Sequence, residues 1–353
     1  MSGSDSDTDA QSSAGVGESS RAPLTGSGDQ DAAAQAPSST HDRHGHRHVP
    51  SGAEATVEHA LTEFADATQH AVAEVNRRAG RDIIAAVGVA IVILAALGST
   101  LVWFPWGFVV IVALGVAAAQ IELSGVLAAK RQVRVQKVPL IAGSVVLALG
   151  SYAVDAFGLM SPALLAVWVV GLTSVVILVV RLAGPTSGYL RDVGASVFLL
   201  IYPGLLASGV VSLLSHDQGP WWVATLVVGV AATDTGGYLV GVVIGKHQFA
   251  PRISPKKSWE GVAGSVVLAG CLVTLMVTVL LHQTWWKGVI LAMVIVVTAI
   301  AGDLVESVIK RDLGVKDMGD LLPGHGGVMD RVDGYILAAF PTWLTMVFLF
   351  GGV

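Results

Sequence analysis

Charge is scarce in this chain. Of its 353 residues only 13% are Asp, Glu, Lys or Arg, while 53% are hydrophobic and the mean hydropathy is strongly positive. Soluble domains carry about 25% charged residues, so an ordinary soluble fold is excluded. Cysteine is nearly absent: Cys271 stands alone, which excludes an intrachain disulfide and leaves a small apolar packing residue. Also missing is the early apolar segment of a cleavable signal peptide. The N-terminus stays polar for about 80 residues, so the first apolar stretch is expected to act as the insertion signal. Residues 1–53 hold almost no large apolar side chains and are rich in Ser, Gly, Ala, Asp and Gln. Such a segment buries too little surface to offset its chain entropy and is expected to be a disordered polar tail. Its His41, His44, His46 and His48 read as a solvated segment in preference to a transition-metal site.

Long apolar runs dominate the rest. A stretch of about 20 apolar residues spans a bilayer core. Nine such stretches are expected, near 83–103, 105–123, 138–157, 161–182, 193–214, 221–245, 261–282, 288–309 and 334–352. The fold class is therefore all-α, a polytopic integral membrane protein. Residues 54–80 have helical apolar spacing and fit an amphipathic cytoplasmic helix, and residues 81–353 are expected to form the membrane domain. Lys and Arg concentrate in the connections after the second, fourth, sixth and eighth stretches, whereas the other connections carry only Lys287. Basic loops stay cytoplasmic. The asymmetry fits an odd number of spans, with the N-terminus cytoplasmic and the C-terminus outside.

The chemistry lies in the last third. Asp303, Glu306, Ser307 and Lys310 follow i, i+3, i+4, i+7 spacing and form one polar stripe in the last two turns of the eighth span. Glu306 with Lys310 reads equally well as a plain i,i+4 surface pair. Asp303 lies about two turns inside the apolar region, where a carboxylate is costly and usually functional. The following loop is rich in glycine and charge. Gly324, Gly326 and Gly327 bring backbone N–H groups within reach of an anion. Lys310, Arg311, Lys316, His325 and Arg331 supply positive charge. Asp330 and Asp333 lead into the ninth span and, with Asp303, make a hard-oxygen cage for Mg2+. Such carboxylates among phosphate-holding bases suit transfer at a phosphorus atom.

A second element precedes the seventh span: Ser254-Pro255-Lys256-Lys257-Ser258-Trp259-Glu260-Gly261. By itself it reads first as a positive-inside anchor with an interfacial tryptophan, and second as a phosphate site. Asp234 falls near mid-span in the sixth stretch. Gly237, Gly241 and Gly245 repeat every four residues there, so helices can pack closely and Asp234 is expected to face a polar interior.

The run from Ser307 through Lys310-Arg311 and Lys316-Asp317, continuing through Pro323-Gly-His325-Gly-Gly327 to Asp330-Arg331 and Asp333, resembles the signature of the phosphatidate cytidylyltransferases. The Asp234–Tyr238 element and the Ser254–Gly261 run are similar to the same family, with Ser258 where threonine is common. The resemblance is strong over 221–353, only architectural over 83–220, and absent from the polar tail. It implies transfer of a cytidylyl group from CTP to phosphatidic acid, giving CDP-diacylglycerol and pyrophosphate for phospholipid biosynthesis, at the cytoplasmic face of the plasma (inner) membrane. It implies Asp303, Asp330 and Asp333 on Mg2+, and admits a second, monovalent cation. Asp303, Asp330, Lys310 and His325 are the implied catalytic groups. Ser307, Arg311, Lys316, Gly326, Gly327, Arg331, Lys256, Lys257, Ser258 and Asp234 are the implied substrate contacts. The partners are then CTP, phosphatidic acid and the bilayer, with room for a homodimer and no nucleic acid. Two rivals stay open: another enzyme acting on a lipid or polyprenyl phosphate, such as a lipid kinase, and a transporter. The crowding of charge on one side disfavours the transporter, whose sites lie near the midplane between repeats.

Overall fold

A computed structural model of the chain describes residue 95, residues 97–319 and residues 326–351. The expected polar tail, the amphipathic segment at 54–80, the histidine cluster, most of the first span and His325 lie outside the described residues.

Among the described residues, eight helices are long and apolar enough to cross a membrane. They are α1 (Pro105–Arg131), α2 (Lys137–Ala156), α3 (Pro162–Arg181), a broken span Tyr189–Leu214, α6 (Gly219–Ile244), α7 (Trp259–Val279), α8 (Trp285–Leu313) and α9 (Met329–Phe350). They correspond to the second through ninth expected stretches. The broken span consists of α4 (Tyr189–Leu199), a π-helical turn at Leu200–Leu205 and α5 (Leu206–Leu214). The turn contains Pro203, which has no N–H to offer the Leu199 carbonyl four residues back. That buried carbonyl accepts instead from Gln120 Nε2 of α1 at 3.0 Å, and the same amide donates to Ser144 Oγ of α2. A backbone oxygen freed inside a bilayer is thus satisfied by neighbouring helices.

One element departs from the all-α expectation. Between α6 and α7 the chain forms an antiparallel hairpin, β1 (Gln248–Ala250) paired with β2 (Ser254–Ser258). Pro251 lies in its turn, which is closed by the Ile253 N–H donating to the Ala250 carbonyl. Lys256 and Lys257 therefore sit on a strand and not on a loose connector. Ser258 ends that strand and caps α7 by accepting from the Gly261 N–H at 3.1 Å.

Helices α6 and α7 pack most intimately. A Cβ on Gly236 would lie 2.5 Å from the Gly264 carbonyl oxygen, and one on Gly264 would lie 2.6 Å from that of Gly236. Small residues in this stretch were expected to permit such an approach; Gly236, beside the expected Gly237, makes the tightest contact. The α8–α9 crossing is similar, with Gly302 packed against the backbone of Asp333 and Gly334. The connections after α1, α3 and α8 meet at one end of the bundle. Arg181, buried with Asp192, holds that carboxylate through Nε at 3.0 Å and Nη2 at 2.9 Å, while the Arg134 N–H donates to the other carboxylate oxygen. Arg131 reaches Asp312 at the end of α8. Arg181, read from sequence as a loop charge, is an internal brace.

Candidate active site

The close α8–α9 crossing at Gly302 sets Asp303 and Glu306 of α8 against Asp333 of α9. One carboxylate oxygen from each of the three lies within 4.8 Å of the others. Glu306 is 1% exposed, so it is no surface partner of Lys310. Its Oε2 is ion-paired with Lys310, whereas Oε1 has no hydrogen-bond partner among the described residues. An unpartnered buried carboxylate oxygen is costly unless something cationic occupies its neighbourhood. Three converging carboxylates, one with an orphaned oxygen, are a hard-donor set that fits a divalent cation such as Mg2+.

This trio differs from the expected one. Asp303 and Asp333 belong to it and Glu306 joins it, while Asp330 lines the same acidic cavity with its oxygens engaged by Lys310 and two backbone amides. Asp330 Oδ1 accepts from Lys310 Nζ at 3.1 Å, and its Oδ2 accepts from the Met318 N–H at 2.9 Å and the Gly327 N–H at 3.0 Å. The Gly327 amide, expected to face an anionic substrate, thus faces an internal carboxylate. Asp333 Oδ1 accepts from the Gly334 N–H, and the Ser307 hydroxyl lies 3.4 Å from Asp303 Oδ1.

Two cavities adjoin at Asp234 and Asp303, which line both. The larger, about 370 Å³, is bounded by Ser254, Lys256, Lys257 and Ser258 of the hairpin and by Thr233, Gly237 and Tyr238 of α6. The smaller, about 200 Å³, is bounded by Asp330, Arg331, Asp333, Gly334 and Tyr335 of α9, with Val230 of α6. One cavity is basic and hydroxyl-rich; the other is walled by four carboxylates and Arg331. Lys257, on the basic side, is ion-paired with Asp303. The structure therefore brings together Asp234, Lys256, Lys257, Ser258, Asp303, Asp330, Arg331 and Asp333, with Ser307 and Lys310 at their edge. Arg311 and Lys316 are exposed and line neither cavity, and Gly326 is a left-handed turn residue with φ 82°.

Glu122 of α1 was missed. Its carboxylate accepts from the Val328 N–H at 3.0 Å and the Met329 N–H at 3.1 Å, at the very start of α9. Its signal was available, since a carboxylate at the end of an apolar stretch invites the reasoning applied to Asp234 and Asp303.

Comparison with known proteins adds an independent line. The model of the Cytidylyltransferase family matches residues 83–350. A phosphatidate cytidylyltransferase of Mycobacterium bovis is 38% identical over 283 residues, covering 77% of this chain and 90% of that protein. One from Mycobacterium leprae is 51% identical over 169 residues, covering 48% of this chain and 54% of that protein, so this match spans about half of the relative's length. One from Brucella suis is 38% identical over 157 residues, covering 44% of this chain and 56% of that protein.

Proposed function

The chain belongs to the cytidylyltransferase family, and from that premise we propose that it transfers the cytidylyl group of CTP to phosphatidic acid, giving CDP-diacylglycerol and pyrophosphate. The observation that carries this reading is the pair of adjoining cavities, one basic and one acidic, with Asp234 and Asp303 shared between them. A reaction between a lipid phosphate and a metal-bound nucleotide needs two such compartments in contact.

The phosphate of phosphatidic acid sits in the basic cavity, held by Lys256 and Lys257 and by the hydroxyls of Ser254 and Ser258. The triphosphate of CTP enters the acidic side. Asp303, Glu306 and Asp333 hold Mg2+, which when bound neutralises phosphate charge and polarises the phosphorus under attack. A phosphate oxygen of the lipid then forms a bond to the α-phosphorus of CTP. The bond between that phosphorus and the α–β bridging oxygen breaks, and its electron pair leaves with pyrophosphate. The attacking phosphate is already anionic near neutral pH, so no general base is required. Lys257, freed from Asp303 when the lipid phosphate arrives, orients the nucleophile. Arg331, with Lys310 behind Glu306 and Asp330, offsets the charge of the departing group. Arg311 in the last turn of α8, with Lys316 and His325 on the following connection, serves the nucleotide. Rate enhancement comes from positioning and fixed electrostatics.

The site faces the cytoplasm of the plasma membrane in this reading. The basic connections lie on its side, and CTP is a cytoplasmic solute. The test is to incubate purified protein in phospholipid vesicles with CTP and phosphatidic acid and to follow CDP-diacylglycerol by mass spectrometry. Product that requires both substrates and is abolished by chelation of divalent ions supports the reading; no product under any ion condition contradicts it.

A further inference from the structure

Glu122 lies 206 residues from Val328 in sequence yet is bonded to it. Its two carboxylate oxygens accept separately from Val328 and Met329, whose amides open α9 and have no partner within that helix. Negative charge is stabilising at such a helix start. The same carboxylate touches both ends of the α8–α9 connection. A Cβ on Gly319 would lie 2.7 Å from Glu122 Oε1, and a Cβ on Gly327 would lie 2.7 Å from Oε2. A side chain at either position would have to displace this carboxylate, and one at Gly327 would also meet the Gly319 backbone nitrogen at 2.8 Å. From the other side, Asp330 joins the same two ends through the Met318 and Gly327 amides. The neck of the connection is thus closed by two carboxylates, one from α9 itself and one from α1. Glu122 lines neither cavity, so it has no direct access to a ligand there.

We propose that Glu122 is a positioning residue, whose carboxylate on α1 locks the first turn of α9 and thereby holds Asp333 in register with Asp303 and Glu306. This rests on the reading of that carboxylate trio as the divalent-ion site. The hairpin lysines are carried by a different pair of helices, so the lipid-phosphate cavity should not sense the loss of Glu122.

The experiment compares wild-type protein with Glu122→Ala and Glu122→Gln, full length and in vesicles, by two readouts. In the first, activity is titrated with Mg2+ and with phosphatidic acid. The Mg2+ concentration for half-maximal rate should rise about tenfold or more in Glu122→Ala, the scale seen when a group supporting metal ligands is removed. It should rise less in Glu122→Gln, which keeps one acceptor oxygen, and the KM for phosphatidic acid should stay unchanged. In the second, amide hydrogen exchange is followed without substrates or metal. Segments covering Gly327–Asp330 should exchange about tenfold faster in Glu122→Ala. A fall in maximal rate with the Mg2+ midpoint unmoved is what lost folded protein alone would give, and it overturns the proposal; so does unchanged exchange in that segment. If Glu122→Ala fails to fold, Glu122→Gln carries both readouts with the same criteria. A wild-type protein that forms no CDP-diacylglycerol contradicts the proposed reaction, while the exchange readout still decides whether Glu122 locks α9.

Discussion

Lys257 of β2 and Asp303 of α8 are ion-paired across the boundary between the basic and the acidic cavity. Each is partly exposed, at 25% and 39% of the side chain, so water, a phosphate or a metal ion can compete for either partner. In the proposed reaction both partners are reassigned: the lysine to the lipid phosphate, the aspartate to the metal.

Lys257→Met keeps most of the side-chain volume and removes the charge. A hydrogen bond to a charged group contributes about 1.5–3 kcal/mol, so the KM for phosphatidic acid should rise roughly tenfold to a hundredfold. The KM for CTP should change much less. Steady-state kinetics with each substrate varied in turn checks this, and equal effects on both would assign Lys257 to the nucleotide.

Asp303→Asn leaves the shape of the site and removes one charge from the trio. Turnover should fall by at least about a hundredfold at saturating substrates, with the thermal unfolding temperature in detergent unchanged or higher, because a crowded carboxylate has been neutralised. Near-normal turnover would sink the assignment of Asp303 to the metal.

Gly302→Ala tests how the trio is assembled. The added Cβ would lie 2.6 Å from the Asp333 carbonyl oxygen and 3.0 Å from Gly334 Cα, both backbone atoms that cannot swing away. Forcing α8 and α9 apart should cost about 1–3 kcal/mol of stability and displace Asp333 from Asp303. The expected signature is a lowered unfolding temperature together with a weakened Mg2+ response. A variant matching wild type in both would show that the crossing is more compliant than its geometry implies.

Arg181→Met separates folding from chemistry. It strands the buried Asp192 without its main partner, and breaking a buried pair in this way costs about 3–5 kcal/mol. Stability should drop sharply. The fraction that remains folded should keep wild-type KM values, since neither residue lines the cavities. The double variant Arg181→Met/Asp192→Leu should recover much of the loss. Thermal unfolding of the three proteins, with kinetics on each, checks both points.

Much of this molecule is legible along single segments, and the remainder lies where distant segments meet. Apolar length was enough for eight of the helices, because a bilayer imposes span length on every one of them. Asp303 was legible because its cost inside an apolar helix is a local fact. The hairpin lysines were legible as charge, though not as a strand, since five residues of Ser, Pro and Lys have no strand pattern until β1 pairs with them. Glu306 was ambiguous because i,i+4 spacing to Lys310 is the same on a surface helix and a buried one; only α9 packing over it decides. Asp330 and Asp333 share a helix face and looked equivalent, yet the folded connection turns one toward backbone amides and the other toward the carboxylate trio. Glu122, the buried Arg181–Asp192 brace and the Gln120 bond to the Leu199 carbonyl depend on contacts between segments 11 to 206 residues apart, which spacing within one helix cannot report.

The most direct measurement of the central claim uses CTP labelled separately at the α- and γ-phosphates, with phosphatidic acid in vesicles and Mg2+ present. Cytidylyl transfer sends the α-label into the lipid and the γ-label into free pyrophosphate, in equal amounts and only when phosphatidic acid is supplied. Appearance of the γ-label in the lipid would instead reveal a kinase and would contradict the account.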